Sequence, residues 1–314
     1  MPKPRAAYPL HWRLMDFTES VADRLFPRSL SRFTGWLMIA PALLLVGILL
    51  VGLVQIADAS LHTLDRKTFR TSEAFSLDNY RTVLSQGVYL TVLWRSVLGA
   101  VLVTLFTLIL AFPYAYVMVR TRHASLRKLL LIALFLPFFI GQVVRAYGWL
   151  IILGNEGMVN DALALVGVPV QRLLYNYQAV IFGLVQYMLP FAVLMLAPAL
   201  TAIPQETEAA AGSLGANWGR TMWHVVLPMA RPGLIGAGLV VVTLTLTDFA
   251  MPAILGGGRQ DFVANTIYDQ FFRTSDQGVG AALTLMLVAL GSLVVGVIFT
   301  LFGAGTLAMG RARQ

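Results

Sequence analysis

Residues Ile203 to Pro228 read IPQETEAAAGSLGANWGRTMWHVVLP. The stretch is polar and rich in alanine, has a glycine near its middle and closes on Leu227 and Pro228. Strongly apolar segments flank it on both sides, so it has to fold in water while both of its ends are tethered to a membrane. A polar segment held in this way has the properties of a docking element for a soluble partner protein.

The composition predicts that the rest of the chain lies in a membrane. Of its 314 residues, 58% are hydrophobic and 12% are charged, whereas a soluble domain carries roughly 25% charged residues. So little charge leaves too little polar surface for a water-soluble globule. The formal net charge of +8 does not indicate nucleic-acid binding, because the basic residues cluster beside the apolar segments, a pattern that sets membrane orientation. The absence of cysteine excludes disulfide bonds, thiolate metal sites and cysteine nucleophiles.

Six apolar segments reach the length of about 20 residues that is needed to cross a hydrocarbon core of ~30 Å. Because lipid offers no partners to exposed backbone groups, each span is expected to be helical. The sequence therefore predicts an all-α polytopic membrane protein with six transmembrane helices. These run over approximately Trp36–Ile56, Tyr89–Val119, Leu129–Leu153, Ala179–Leu200, Pro232–Leu255 and Val279–Leu307.

The distribution of lysine and arginine predicts the orientation of these spans. Basic residues concentrate in 3–32, 120–128, 220–231 and 311–313, whereas the alternate loops balance their fewer cations with acids. The positive-inside rule then places both termini and the loop 201–230 in the cytoplasm. We expect residues 1–33 to be a cytoplasmic tail rather than a cleaved signal, because no apolar stretch precedes Trp36. The permease domain is predicted over residues 34–307, with a second cytoplasmic tail at 308–314.

Local signals divide the loop into two short helices. Pro204 suits a first helical position, and Gln205–Leu214 contains good helix formers. Gly215 can end this helix in a left-handed conformation, and Asn217 can cap a second helix that runs to Leu227. For an arbitrary loop, a surface helix-turn-helix without any partner would be the simplest interpretation.

The spacing within the loop resembles the "EAA" loop of ABC importer permeases, in which Glu-Ala-Ala, three residues, Gly and nine residues precede Ile-x-Leu-Pro. Counting back from Leu227 and Pro228 places Gly215 at the glycine and Ala210 with Ala211 at the two alanines. Ala209 occupies the glutamate position, and Glu208 stands one residue earlier, an offset of ~100° on a helix. The resemblance implies that this coupling loop, residues 201–230, docks into an ATPase subunit. Its interface residues would be Ala210, Ala211, Leu214, Gly215, Leu227 and Pro228, with Glu208 at the edge.

Outside the coupling loop, most of the chain is similar to permease subunits of spermidine/putrescine-type importers. The similar stretches are Asp78–Tyr80, Pro113–Tyr116, Val144–Trp149, Leu189–Phe191, Asp248–Phe249 and Leu255–Gly257. The resemblance implies a type I ABC importer permease fold in the bacterial inner membrane. It also implies four kinds of partner: a second six-helix permease subunit, two ABC ATPase subunits, a periplasmic solute-binding protein and membrane lipid.

The chain carries no sequence motif for hydrolysing ATP or for other catalysis. No Gly-x-x-x-x-Gly-Lys-[Ser/Thr] phosphate loop, no His-Glu-x-x-His zinc motif and no Gly-x-Ser-x-Gly elbow occurs. We therefore expect a transport subunit rather than an enzyme, with no cofactor or metal of its own. By the resemblance, ATP and Mg²⁺ bind to the partner ATPase.

Two charged residues within the spans are candidates for the solute path. Arg145 lies 17 positions after Lys128, and Asp248 lies 17 positions after Arg231. Each charge is then roughly 25 Å from the cytoplasmic boundary, so the two could form a direct ion pair between the third and fifth spans. Alternatively they line the path. The candidate path residues are Arg145, Tyr147, Trp149, Glu156, Asp248 and Phe249.

The sequence leaves the solute open. A carboxylate among aromatic rings suits a cationic amine such as putrescine or spermidine, but the arginine could attract an anion. Other candidates for the same machinery are an opine, an amino-acid derivative, a phosphonate or ferric ion. A secondary transporter driven by an ion gradient is a less favoured alternative, because no paired halves are evident. A membrane-embedded enzyme ranks last, because the spans offer no nucleophile and base.

Overall fold

The computed structural model describes residues 31–65 and 70–303. The predicted tails at residues 1–33 and 308–314 therefore lie almost wholly outside the described residues, as does the end of the predicted sixth span. The predicted domain limits and the cytoplasmic location of both termini stay predictions. The chain divides into two compact units after Ile56.

The first unit contains the greater part of helix α1, Ser31–Ser60, whose side chains from Met38 onwards are mostly exposed and apolar. The second unit starts with the end of this helix. An antiparallel hairpin follows, in which β1 (His62–Asp65) pairs with β2 (Arg70–Phe75). These two strands are an addition to the helical fold that the sequence predicts. The hairpin lies in a predicted external loop, where water can satisfy the open edges of two strands.

The remaining elements are helices of very different lengths. Helix α2 covers Asp78–Ser85, α3 Gly87–Arg120, α4 Ala124–Phe135, α5 Gln142–Ile152, α6 Met158–Leu165 and α7 Tyr177–Thr201. Helix α8 covers Gln205–Ser213, α9 Trp218–Thr221, α10 Leu227–Met229 and α11 Arg231–Leu246. Helix α12 covers Ala250–Gly256, α13 Val263–Phe272 and α14 Gln277–Ile298. Short 3-10 and π turns occupy Leu136–Phe139, Met222–Val226 and Phe299–Gly303.

The core of the second unit forms where α3, α7 and α11 pack on one another. Helix α7 is central, and its Leu184, Met188, Leu196 and Leu200 are fully buried. Small residues let the helices approach closely. In a membrane no hydrophobic effect drives helices together, so their association depends on close van der Waals packing. At Gly238, for example, side chains of α3 pass within ordinary contact distance of the space that a Cβ would fill.

The described residues contain four helices that are long and apolar enough to cross a membrane, and up to six spans if two bent pairs count as one each. The predicted third span, Leu129–Leu153, is sharply bent, because α4 and α5 meet at an angle of 102°. Pro137 starts this break, since its ring and missing N–H prevent a continuous helix. Likewise, the chain turns by 68° where it enters α11, and the predicted fifth span is interrupted between α11 and α12.

A buried polar contact joins α2 to the start of the hairpin within the second unit. Asn79 of α2 is buried and donates from Nδ2 to the carbonyl oxygens of Ser60 and His62, each at 2.9 Å. Helix α14 packs against this point through Gly278, where a Cβ would overlap the His62 carbonyl oxygen and come within 2.6 Å of Asn79 Nδ2. Only glycine leaves room for both contacts.

We predict that Gly278→Ala lowers the stability of the purified protein by about 1–3 kcal/mol, because the overlap involves backbone rather than a flexible side-chain end. Thermal unfolding in detergent provides the measurement. Gly296→Ala on the same helix is the matched control, because nothing lies within 4 Å of its Cβ position. Equal melting temperatures for the two variants would contradict the close contact at Gly278.

Candidate functional site

The coupling loop folds into two short helices, as its local signals predict. Helix α8 begins after Pro204, and Gly215 ends the turn with a positive φ of 82°. Asn217 caps α9, since its Oδ1 accepts from the backbone N–H of Arg220 at 2.9 Å. The backbone then continues through a π turn into α10.

The coupling loop exposes apolar side chains in a segment that is polar by composition. Leu214 is 90% exposed, and Trp218 and Trp223 are 70% and 69% exposed. Ala210 and Gly215 lie exposed beside them, whereas Ala211, Leu227 and Pro228 are half-buried behind this face. We call Ala210, Leu214, Gly215, Trp218 and Trp223 the docking surface. Neither tryptophan is among the docking residues predicted from the sequence, although large aromatic residues in a polar loop are a signal of a protein contact.

Glu208 does not belong to this exposed face. Its side chain is 17% exposed and lies 2.7 Å from Nη2 of Arg120, whose own side chain is 12% exposed. Tyr116 donates its hydroxyl hydrogen to the other carboxylate oxygen at 2.7 Å. Both partners lie in the last turns of α3, so the carboxylate points into the protein.

Arg145 donates to backbone carbonyls at the break between α4 and α5. Its Nη2 donates to the carbonyl of Pro137, which also accepts from the N–H of Ile140, and at 3.1 Å to the carbonyl of Ile140. Its guanidinium also lies over the ring of Tyr187, 5.4 Å from the centroid. Arg145 therefore stabilises the bend of the third span from within.

A second break separates α11 from α12 at residues 247–249. Asp248 is 6% exposed and caps α12, because its Oδ1 accepts from the backbone N–H of Met251 at 3.0 Å. Its other oxygen accepts from Nε2 of Gln142 on α5. On the far side, Asn265 of α13 donates to the carbonyl of Phe249 at 2.9 Å and accepts from the N–H of Phe262 at 3.1 Å.

The ion pair between Arg145 and Asp248 that their similar depth allows is not formed. Among the residues that the structure describes, Asp248 makes no salt bridge, and its side-chain partner is Gln142. Arg145 is instead taken up by carbonyl oxygens of its own bend. The depth of each residue in the membrane, estimated from the sequence, could not reveal these partners, because it gives no information on which way a side chain points around its helix.

The other predicted path residues differ in their exposure and contacts. Tyr147 and Phe249 are 54% and 42% exposed, and each is one or two positions from a charged candidate. Trp149 instead packs on α7, edge-on to Phe182 at 4.7 Å between centroids. Glu156 is exposed in the turn after α5, and none of its described contacts is with Arg145 or Asp248.

An open cavity of about 640 Å³, with Arg95, Asp261 and Asp269 in its lining, lies at the other end of α3, between its first turns and the segment that follows α12. Arg95 reaches across it and donates to the carbonyl of Arg259 at 3.1 Å. Burial raises the pKa of Asp261 in this cavity, and Asp269 raises it further, whereas Arg95 and Arg273 act in the opposite direction. The intramembrane arginine Arg95 thus extends to the outer boundary of its helix.

A loop that offers apolar side chains to water, with a carboxyl group at a helix break, suits a membrane subunit that moves a solute and is driven from outside the bilayer. The family described as "Binding-protein-dependent transport system inner membrane component" matches residues 28–306. The chain belongs to this family of inner-membrane transport subunits. It is thus a transport component rather than an enzyme, as the sequence predicts.

Curated relatives agree with this assignment. The spermidine/putrescine transport system permease protein PotB of Escherichia coli (strain K12) is 32% identical over 267 residues, which cover 83% of this chain and 92% of PotB. The inner membrane ABC transporter permease protein YdcU of the same strain is 29% identical over 272 residues, which cover 82% and 86%.

Solved ABC transporters share the fold. A chain of the bacterial alginate ABC transporter, in complex with an alginate-bound periplasmic protein, superposes with a TM-score of 0.73 at 16% identity and covers 86% of this chain and 94% of its own length. A chain of the MetNI methionine ABC transporter gives 0.55 at 20% identity, with 70% and 98% covered. The predicted type I ABC importer permease fold is confirmed.

We predict that Asn265→Ala destabilises the protein by about 1–3 kcal/mol, because it leaves the buried N–H of Phe262 unpaired, whereas the Phe249 carbonyl still accepts from the N–H of Ala253. Thermal unfolding of the purified protein is the measurement. Thr266→Ala is the control, since the Thr266 hydroxyl bonds within its own helix. Equal stability of the two variants would mean that the break does not depend on Asn265.

Proposed function

We propose that this chain forms one half of the translocation path of an ATP-driven importer in the bacterial inner membrane. In the proposed assembly it pairs with a second six-helix permease subunit, with lipid around both. Two ABC ATPase subunits bind ATP and Mg²⁺ and contact the coupling loops, and a periplasmic solute-binding protein delivers the solute.

The docking surface is the observation that carries this proposal. Leu214, Trp218 and Trp223 expose large apolar areas on the side that the positive-inside rule assigns to the cytoplasm. Several large apolar side chains exposed on one short polar loop indicate a protein contact, and aromatic side chains are typical of the centre of such contacts. We assign this surface to a cleft on the ATPase. This subunit has no phosphate loop of its own, so it needs a partner that hydrolyses ATP.

We predict that Leu214→Arg weakens binding of the partner ATPase by about 2 kcal/mol, or roughly thirtyfold, because it places a charge in a dry contact. The measurement is the yield of ATPase that co-purifies with the tagged chain. Leu165→Arg is the matched control, since Leu165 is equally exposed, at 89%, but lies outside the coupling loop. Normal ATPase recovery with Leu214→Arg would argue against docking at this surface.

For the solute, we propose a polyamine such as putrescine or spermidine, the class named for the relative PotB. Arg145 does not neutralise Asp248, so the carboxyl group can serve a cationic amine. Phe249 and Tyr147 expose their rings nearby in sequence, and aromatic faces attract ammonium groups. Asp248 is covered in this conformation, and α5 lies over it through Gln142. Separation of α5 from α12 would therefore open the site.

We predict that Asp248→Asn lowers ATP-dependent uptake of labelled putrescine about tenfold or more in vesicles that contain the full transporter, because the cation loses its charged partner. The asparagine oxygen still accepts from the Met251 N–H, so ATPase co-purification should be unchanged. Asp161→Asn, at an exposed acid outside the spans, is the control. Undiminished uptake by Asp248→Asn would remove Asp248 from the path.

A further inference from the structure

Helix α8 presents two distinct faces. Thr207, Glu208 and Ala211 are half-buried, whereas Ala209, Ala210 and Ser213 are exposed. Ala211 lies four residues after Thr207 and three after Glu208, spacings that place residues on the same face of a helix, so these three residues form the face turned towards the protein. The offset of the glutamate by one residue, which the sequence shows, therefore moves the carboxylate from the exposed face to the buried one.

The buried face is tied to the rest of the protein by Arg120. Its Nη2 donates to the carbonyl of Ile203 at 2.8 Å, and the same nitrogen lies 2.7 Å from Oε1 of Glu208. The hydrogen bond is directed at the carbonyl, so the contact with Glu208 is a close ion pair rather than a second well-aligned hydrogen bond. Tyr116 completes the cluster from one turn earlier on α3, where its hydroxyl donates to Oε2.

These contacts join three separate elements. Arg120 and Tyr116 belong to the last turns of α3, Ile203 directly follows α7, and Glu208 lies on α8. Helix α3 runs for 34 residues and packs along both α7 and α11. The contacts of Arg120 and Tyr116 at its end therefore connect the coupling loop to the longest described helix of the core.

The ion pair is also largely shielded from water, with 12% of the Arg120 side chain and 17% of the Glu208 side chain exposed. Surface ion pairs contribute little because water and salt screen them. For a covered pair, loss of one member leaves the other buried without its partner, which is costly. Both carboxylate oxygens of Glu208 are engaged inside this chain, so the group is not available to another protein.

We propose that Arg120, Tyr116 and Glu208 form an anchor that makes α8 and the end of α3 move as one body. Glu208 is then a positioning residue within this chain, and not a contact to the ATPase. A displacement of the docking surface passes through the anchor directly into α3 and from there into the helices that pack on it. The transport consequence rests on the docking proposed above, whereas the anchor itself does not.

Hydrogen–deuterium exchange of residues 205–214 tests the anchor in the full chain, in lipid nanodiscs and without any ATPase. We expect Glu208→Gln to raise the exchange rate of this segment about threefold or more, because local opening becomes easier. Glu206→Gln is the matched control, since Glu206 lies exposed on the same helix and loses the same charge. Equal exchange in Glu208→Gln and Glu206→Gln would overturn the proposal.

A double-mutant cycle on the same exchange rates tests whether the residues act as a pair. Arg120→Gln should raise exchange strongly, and adding Glu208→Gln should then change it little, because the partner is already lost. If the two fold-changes multiply, the residues act independently and the anchor does not exist. Should Arg120→Gln fail to fold, Tyr116→Phe can replace it, with a smaller expected increase.

The complete transporter separates anchoring from docking. We expect Glu208→Gln to retain the co-purifying ATPase while solute uptake per ATP hydrolysed falls about threefold or more, as for loss of a coupling contact. Loss of the ATPase together with unchanged exchange would instead make Glu208 a docking residue and overturn the proposal. A failure of Leu214→Arg to affect docking would count against the docking surface and leave the exchange result intact.

Discussion

Every backbone donor and acceptor that a broken helix releases inside a membrane has to find a partner within the protein, because lipid supplies none. The second unit depends on how this requirement is met at two breaks. Arg145 donates to the carbonyls of Pro137 and Ile140 at the bend of the third span, and Asn265 donates to the carbonyl of Phe249 beside the gap in the fifth span. Asp248 accepts from the N–H of Met251 in the first turn beyond that gap. The polar residues of the spans are thus first of all the means by which the helices can break.

The same arrangement separates two charges that could have neutralised each other. Because Arg145 is held by carbonyl oxygens of its own bend, Asp248 has only an amide, Gln142, as its side-chain partner among the described residues. In the path proposed above, Asp248 would meet a solute cation at the break once α5 and α12 separate. On that proposal, the residues that stabilise the break also serve transport.

At the water boundary the coupling loop has two distinct surfaces. The residues that follow α8 present apolar side chains that suit a protein partner, and the buried face of α8 carries Glu208 to Arg120 and Tyr116. In such an arrangement, force applied from outside meets a loop that is fixed to a core helix. A flexible tether would absorb the same displacement without moving the spans.

The sequence by itself determined the membrane class, most of the apolar segments, the two short helices of the coupling loop and the family, because these depend on composition and on spacing along one segment. It located Asp248 and Arg145 but left open whether they pair with each other or line the path. It missed Gln142, Asn265 and the β-hairpin, and it could not show that Glu208 contacts Arg120 and Tyr116. Only the tertiary structure decided these points. Glu208 and Tyr116 are 92 residues apart, and Gln142 and Asp248 are 106 apart. Which side chains meet over such separations is set by the rotation and bending of whole helices against each other, and no local pattern records it.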